Sequence, residues 1–426
     1  MITVKFGGTS LADASRFRHA VQIIRADPRR RYVVVSAPGK RFPEDIKITD
    51  LLLRFQASRD PGDFAPVEQR FRQIVRELGL ELDLTPDFEE MKNKPHSRDY
   101  MASRGEYLSA RIMAACLDWP FVDTERCVFF REDGQLDAQH TESAIFEKLK
   151  NLPNAVLPGF YGALPNGEIH TFSRGGSDVT GALVARAMEC RVYENWTDVD
   201  GMLATDPRIV PNAASIGTIT YAELRELAYQ GASVLHEDAV LPLREPGIPI
   251  HIRNTFRPEA PGSWIRAESR DPERLITGIA GRKGYSTIQI ERQNTNSMVG
   301  YVRRILSCLE RHGIPFEHLA TGLGSVCLVV PSAAMEDCRD QLEREIRRAV
   351  QPDSILIRGG LAMIAVVGRG MVNRPGVSAR LFGALGDAGI SVRVIDQGSG
   401  EMNIVVGVSE AEYEAAVRAI YHRFFE

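Results

Sequence analysis

Residues 2–10, ITVKFGGTS, run on through ADASRFRHAVQII at 12–24 to RYVVV at 31–35. Ile2 to Phe6 and Tyr32 to Val35 are short β-branched runs, the signature of buried strands. Between them Ala14 to Ile24 sets Phe17, Val21 and Ile24 on one face at helical spacing. The opening is therefore β-α-β. The same alternation continues, with strands expected at Asn154–Pro158, Arg191–Trp196 and Ile248–Arg253. Helices are expected at Arg104–Ala115, Asp178–Met188 and Tyr221–Gln230. An α/β sheet covered on both faces follows.

At 426 residues the chain is long enough for two or three cores. Lys plus Arg number 52 against 56 Asp plus Glu, a net charge of −4. That balance lacks the basic excess a phosphate-backbone binder needs, so nucleic acid is not expected as a partner. No apolar run approaches the roughly 20 residues that span a bilayer, and Lys5 and Gly7-Gly8 interrupt the amino terminus before a signal-peptide core develops. A soluble, cytoplasmic protein without a membrane partner is expected. Cys116, Cys127, Cys190, Cys308, Cys327 and Cys338 are scattered without metal-ligand spacing, as reduced thiols are, and no protein metal site is expected.

Pro258, Pro261 and Gly262 open a loop-rich stretch that continues through Glu268–Arg274. Beyond it, GYVRRILSCLERHGI at 300–314 and GVSARLFGALGDAGI at 376–390 share their glycine offsets. The last third thus reads as a tandem duplication of one small α/β unit. The expected division is residues 1–262 for the first domain, 263–282 for a linker, and 283–350 and 351–426 for the two repeats.

Five segments carry chemistry. At Lys5-Phe6-Gly7-Gly8-Thr9-Ser10, consecutive N–H groups and a lysine at a strand end either cradle phosphate oxygens or make a plain turn. Phe172-Ser173-Arg174-Gly175-Gly176-Ser177-Asp178 repeats the theme before a helix. There Ser177 and Asp178 could be N-caps, but an arginine ahead of two glycines exceeds what capping requires. Trp196-Thr197-Asp198-Val199-Asp200-Gly201 and Thr205-Asp206-Pro207-Arg208 follow a strand and suit either a nucleotide or an ordinary turn. In Ser103-Arg104-Gly105-Glu106, the glutamate near a helix start could simply complement the helix dipole.

Taken together, KFGGTS, VVVSAPG at 33–39, ASRGEYLSA around Glu106, FSRGGSD, WTDVDG, TDPR and GASVLH at 231–236 resemble the aspartate kinase family of the amino-acid kinase superfamily. The likeness spans essentially the whole chain, and the duplicated tail resembles that family's tandem ACT domains. GRGMVNRPGVSARLF from Gly368 and VIDQGSGEMNI are similar to the second ACT repeat.

The resemblance implies a three-layer, carbamate-kinase-like sandwich followed by two ferredoxin-like ACT units. It implies phosphorylation of the L-aspartate side chain by ATP with Mg2+, giving 4-phospho-L-aspartate on the route to lysine, threonine and methionine. Lys5 and Asp178 would be catalytic. Ser36, Thr49, Glu106 and Arg174 would bind aspartate, with Arg174 on its α-carboxylate and Glu106 on its ammonium. Lys5, Gly7, Gly8, Thr9, Ser177, Thr197, Asp198 and Arg208 would bind the nucleotide. Met298, Ser325, Gln397 and Asn403 lie in segments similar to effector sites for lysine or threonine, and a homodimer or larger homo-oligomer is implied. Ser233, in place of a lysine, and Leu203, in place of an aromatic, depart from the family's nucleotide contacts. The loop Lys40–Lys47 departs from its glycine-rich version. A non-catalytic amino-acid sensor and a kinase for a related amino acid remain as alternatives.

Overall fold

The computed structural model describes the chain apart from residues 95, 174, 233–234, 236, 269–273, 294–297 and 399 and the side chain of residue 237. Two compact units form. One comprises Met1–Met202, Ser215–Arg225 and Ser233–Arg270, and the other Leu203–Ala214, Glu226–Ala232 and Asp271–Glu426.

The first unit begins with β1 (Ile2–Phe6), α1 (Ala14–Arg25) and β2 (Arg30–Val35), then a run of helices α2 (Ile48–Ser58), α3 (Pro61–Leu78), α4 (Thr85–Asn93), α5 (Arg98–Leu117) and α6 (Ala138–Leu149). Next come β3 (Ala155–Pro158), the hairpin of β4 (Tyr161–Ala163) and β5 (Ile169–Thr171), α7 (Gly176–Ala187) and β6 (Val192–Thr197). The short strands β7 (Met202–Leu203) and β8 (Ser215–Ile216) pair with each other, and β9 (Thr218–Thr220), α8 (Tyr221–Tyr229), α9 (Glu237–Arg244), β10 (Ile250–Asn254) and β11 (Ser263–Arg266) follow, with Leu203 and the end of α8 from Glu226 counted to the second unit.

Seven strands form one sheet in the order β3-β2-β1-β6-β10-β11-β9. The five from β3 to β10 are parallel, and β11 runs antiparallel to β10. Alternation along β1 sorts its side chains onto two faces. Ile2, Val4 and Phe6 join Val33 and Val35 in a core with Phe17, Leu52, Phe71 and Leu108, beneath α1, α2, α3 and α5. Thr3 and Lys5 face the other way, toward Cys190 and toward Asp178 on α7. Helices thus cover both faces, which makes three layers. Because β2 and β3 lie to one side of β1 and β6 and β10 to the other, the strand order reverses between the parallel neighbours β1 and β6. A crevice opens at the carboxyl ends of such strands.

The second unit contains β12 (Gly278–Glu291), α10 (Tyr301–Arg311), β13 (His318–Thr321), β14 (Ser325–Pro331), α11 (Arg339–Val350), β15 (Ser354–Val367), α12 (Val377–Asp387), β16 (Val394–Asp396), β17 (Asn403–Ser409) and α13 (Tyr413–Phe425). Its sheet runs β13-β14-β12-β15-β17-β16. The two repeats share their central strands. The far half of β12 pairs with β14 and the near half of β15, while the near half of β12 pairs with the far half of β15, which in turn pairs with β17.

Register shifts between Arg282 and Thr287 separate the halves, and Gly284 and Gly360 sit there at φ 94° and 73°. Gly300, Gly313, Gly376 and Gly389, the duplicated glycines, all adopt positive φ, where a side chain would be strained. Residues 263–282, expected as a linker, contribute β11 to the first sheet and the first residues of β12 to the second. Among the described residues no helix is long and apolar enough to cross a membrane.

Candidate active site at the carboxyl ends of β1 and β6

Lys5 stands on the buried, α7-facing side of β1 and is only 8% exposed. Its Nζ lies 2.7 Å from Asp178 Oδ1. The same oxygen accepts a hydrogen bond from Asn195 Nδ2 at 2.8 Å, and Asn195 is the β6 neighbour of Lys5 in the parallel register. Asp178 belongs to the first turn of α7. Gly175, in the left-handed region at φ 58°, is the N-cap, and no side chain caps the helix. The capping alternative for Ser177 and Asp178 therefore falls: Asp178 is spent on Lys5, and Ser177 is buried beside Gly159.

Just past β1 the chain turns at Gly7 and Gly8 into a 3-10 turn, Gly8–Leu11, that carries Thr9. Gly7 N–H donates to Trp196 O at 3.0 Å, tying the turn to the end of β6. Trp196 is held in turn, its indole N–H bonded to Glu194 and its ring stacked on Phe6. On the opposite flank Gly39 N–H donates to Gly8 O at 2.8 Å. A Cβ on Gly8 would come within 2.7 Å of Ala37 O, and one on Gly39 within 2.7 Å of the Gly8 carbonyl carbon. Gly8→Ala must therefore displace the turn, and a loss of at least about tenfold in kcat/KM for ATP is expected in steady-state assays, since small misplacements of positioning groups are costly.

The loop that departs from the glycine-rich pattern is anchored another way. Asp45 takes hydrogen bonds from Arg41 and from the buried Arg70, and these guanidinium groups hold its carboxyl well below the usual carboxylate range against the opposing effect of burial. Arg16 also donates to Thr9 O and Lys40 O, so the loop stays packed on the turn.

Glu106 lies in the middle of α5, eight residues beyond Arg98, so it does not complement a helix dipole. It is 6% exposed, and its Oε2 has no hydrogen-bond partner. Burial pushes its carboxyl up from 4.5 to about 8, opposed by the main-chain N–H of Ala37 and the charge of Lys5. Gly105 allows this approach, since a Cβ there would meet that of Ala37 at 2.5 Å. A buried carboxylate without a partner is costly unless a cation arrives.

Ser36, whose N–H donates to Phe6 O, follows β2, and Thr49 sits in the first turn of α2; both are half-buried. Thr197 ends β6, its hydroxyl bonded to Asp198 Oδ1 at 3.2 Å, with Asp198 exposed. Arg174 and Ser233 fall outside the described residues. Arg208 and Leu203 belong to the second unit, where Arg208 is exposed and paired with Asp206 at 2.6 Å.

Among the described residues no group of three or more His, Cys, Asp or Glu gathers as for a metal ion. In the second unit Met298 lines a cavity of about 210 Å3 with Tyr301, Thr321 and Val326. Ser325 begins β14, Gln397 is exposed, and the Asn403 amide is bonded to Glu226 at 2.6 Å. Sequence reasoning missed Asn195, Gly39 and Gly159. The visible signal for Asn195 was an amide inside a strand otherwise read as buried.

The amino acid kinase family model matches residues 1–254, and an ACT domain model matches 364–424. Aspartokinase 3 of Bacillus subtilis is 34% identical over 449 residues, covering 100% of this chain and 99% of the relative. The crystal structure of Clostridium acetobutylicum aspartate kinase is similar with a TM-score of 0.89 and 43% identity, covering 99% of both chains. Escherichia coli aspartokinase III in complex with aspartate and ADP gives a TM-score of 0.77 at 25% identity, with 100% of each chain covered. A lysine and a double-glycine turn at the fold's switch point, with relatives matched end to end, thus lead to one conclusion: the chain belongs to the amino acid kinase family, among its aspartokinases with carboxyl-terminal ACT domains.

Proposed function

We propose that the chain transfers the γ-phosphoryl group of ATP to the side-chain carboxylate of L-aspartate. One carboxylate oxygen bonds to the γ-phosphorus, the bond from that phosphorus to the β,γ-bridging oxygen breaks, and ADP leaves with the electron pair. No proton need move, because an aspartate side chain is already ionised at neutral pH. Catalysis then consists of positioning and charge neutralisation.

The observation that carries this reading is the pairing of opposite demands at the carboxyl ends of the strands: Lys5 beside the Gly7-Gly8 turn, suited to an anion, and Glu106 with an unpartnered buried oxygen, suited to a cation. Lys5, the amides of Gly8 and Thr9, and Ser177 would hold the phosphates, with Thr197 and Asp198 toward the rest of the nucleotide; the Gly7 N–H, expected among these donors, is spent on Trp196 O and would shape the turn instead. Glu106 would take the aspartate ammonium, Arg174 its α-carboxylate, and Ser36 and Thr49 its remaining polar atoms. A donor set of one lysine, main-chain amides and a carboxylate already paired fits Mg2+ carried mainly by the nucleotide's own oxygens. Such an ion would offset phosphate charge. The ACT pair supports control by an amino acid such as lysine or threonine, read near Met298 and Ser325, and a homo-oligomer.

Incubation with Mg-ATP, L-aspartate and hydroxylamine tests the reaction, since an acyl phosphate is trapped as a coloured hydroxamate. Product with aspartate is expected. No product at saturating substrates would point to a sensor, and product only with another amino acid would point to a different acceptor.

A further inference from the structure

Lys5 must meet two conflicting requirements. It has to be held in a buried position by a negative group, yet keep enough positive character to neutralise charge on a transferring phosphate. The carboxylate of Asp178 supplies the hold at 2.7 Å. Left to itself, a carboxylate can rotate to present both oxygens to an ammonium, closing an ion pair that competes with any phosphate.

Asn195 limits that rotation. Its amide N–H reaches Asp178 Oδ1, the same oxygen that Lys5 uses. The backbone of Asp178 is fixed independently, by its N–H on Gly175 O and by Tyr193 OH on its carbonyl. Asn195 is 5% exposed and stands beside Lys5 on the adjacent parallel strand, so its reach is set by the sheet rather than by a loop. Two donors thus meet on the one oxygen Oδ1, which divides its negative charge between them.

We infer that Asn195 is a positioning residue for phosphoryl transfer, sharing one oxygen of Asp178 so that Lys5 is oriented without being neutralised. The inference rests on the phosphoryl-transfer reading of the site. Among the described residues, Lys5 on β1 and Tyr193 on the same strand as Asn195 meet Asp178, and Glu106 on α5 feels the Lys5 charge. From β10 the register neighbour of Asn195 is Ile252, which is apolar.

Two variants and two readouts test it on the full-length protein, with the wild type carried in parallel as the check on the reaction. Asn195→Ala is expected to lower kcat about tenfold or more with both KM values within about twofold, the pattern of an interaction used in the transition state. Asn195→Asp places a second carboxylate against Asp178, and like charges at that separation share a proton. The acid limb of its kcat–pH profile is expected to move up by about one unit or more, a change that loosened packing alone does not produce. A crystal structure of Asn195→Ala is expected to show the Asp178 carboxylate turned or doubled in orientation. If instead it holds its single wild-type orientation on Lys5, the inference is overturned whatever the turnover. Unchanged kcat and pH profiles in both variants, beside an active wild type, overturn it as well.

Discussion

Lys5→Ala is expected to lower kcat at least about 100-fold, in line with removing an electrostatic donor aimed at the transferring group. The size follows from where the lysine sits: buried at the switch point and directed by Asp178, it cannot be replaced by bulk water or by a mobile neighbour. The variant also leaves Asp178 without its cation but with Asn195 on its carboxylate and Tyr193 OH on its carbonyl, so two hydrogen bonds remain to keep α7 in register with β6. Circular dichroism and thermal melts should therefore show a folded protein, and single-turnover assays should place the loss in the chemical step. Wild-type turnover in a folded variant would remove Lys5 from its role.

Glu106→Gln is the second large effect, and its signature is in pH. In the free protein burial raises the Glu106 carboxyl from 4.5 to about 8, so at pH 7 it is mostly protonated. An ammonium group placed against the unpartnered Oε2 favours the ionised form, so binding of aspartate at pH 7 should release a proton. Apparent affinity for aspartate should rise from pH 6 to about 8 and then level off. Calorimetry in buffers of differing ionisation enthalpy reads the proton directly. In Glu106→Gln the release should vanish and KM for aspartate should rise about 100-fold, the scale of losing a charge-assisted contact.

The same shift has a stability consequence of definite sign. The folded-state value lies above the unfolded one, so the group's contribution is fully present below about 4.5 and is lost as pH rises through about 8. The unliganded wild type should lose melting temperature across that window relative to Glu106→Gln. Parallel curves for the two proteins would sink this account of Glu106.

Much of this was legible in the sequence where a segment has a clear inside and outside. β1 matches its expected bounds, and α1 and β2 differ from theirs by one or two residues, because apolar spacing and flanking turns agree there. Only Arg104–Ala115 was read of α5, which spans Arg98–Leu117, because that helix is buried on nearly every side and offers no amphipathic contrast. In α3, Pro61 and Pro66 look like breakers, yet one starts the helix and the other lies within its early turns.

At the site, Lys5 and Asp178 announced themselves by their glycines. Asn195 did not, since its importance comes from strand register, a non-local property. The same holds for the repeats: the glycines at the helix ends revealed the duplication, whereas Gly284 and Gly360, at the corresponding places in the long strands, acquire meaning only once those strands are seen paired.

The strands common to both repeats bear on how such a module could be moved or divided. Cutting between residues 350 and 354 would hand each fragment a ragged ladder, with main-chain groups bared along β12 and β15. Neither half could be grafted alone onto another scaffold without inviting foreign strands to its open margin. Any portable piece must therefore carry both repeats, from Gly278 to Phe425.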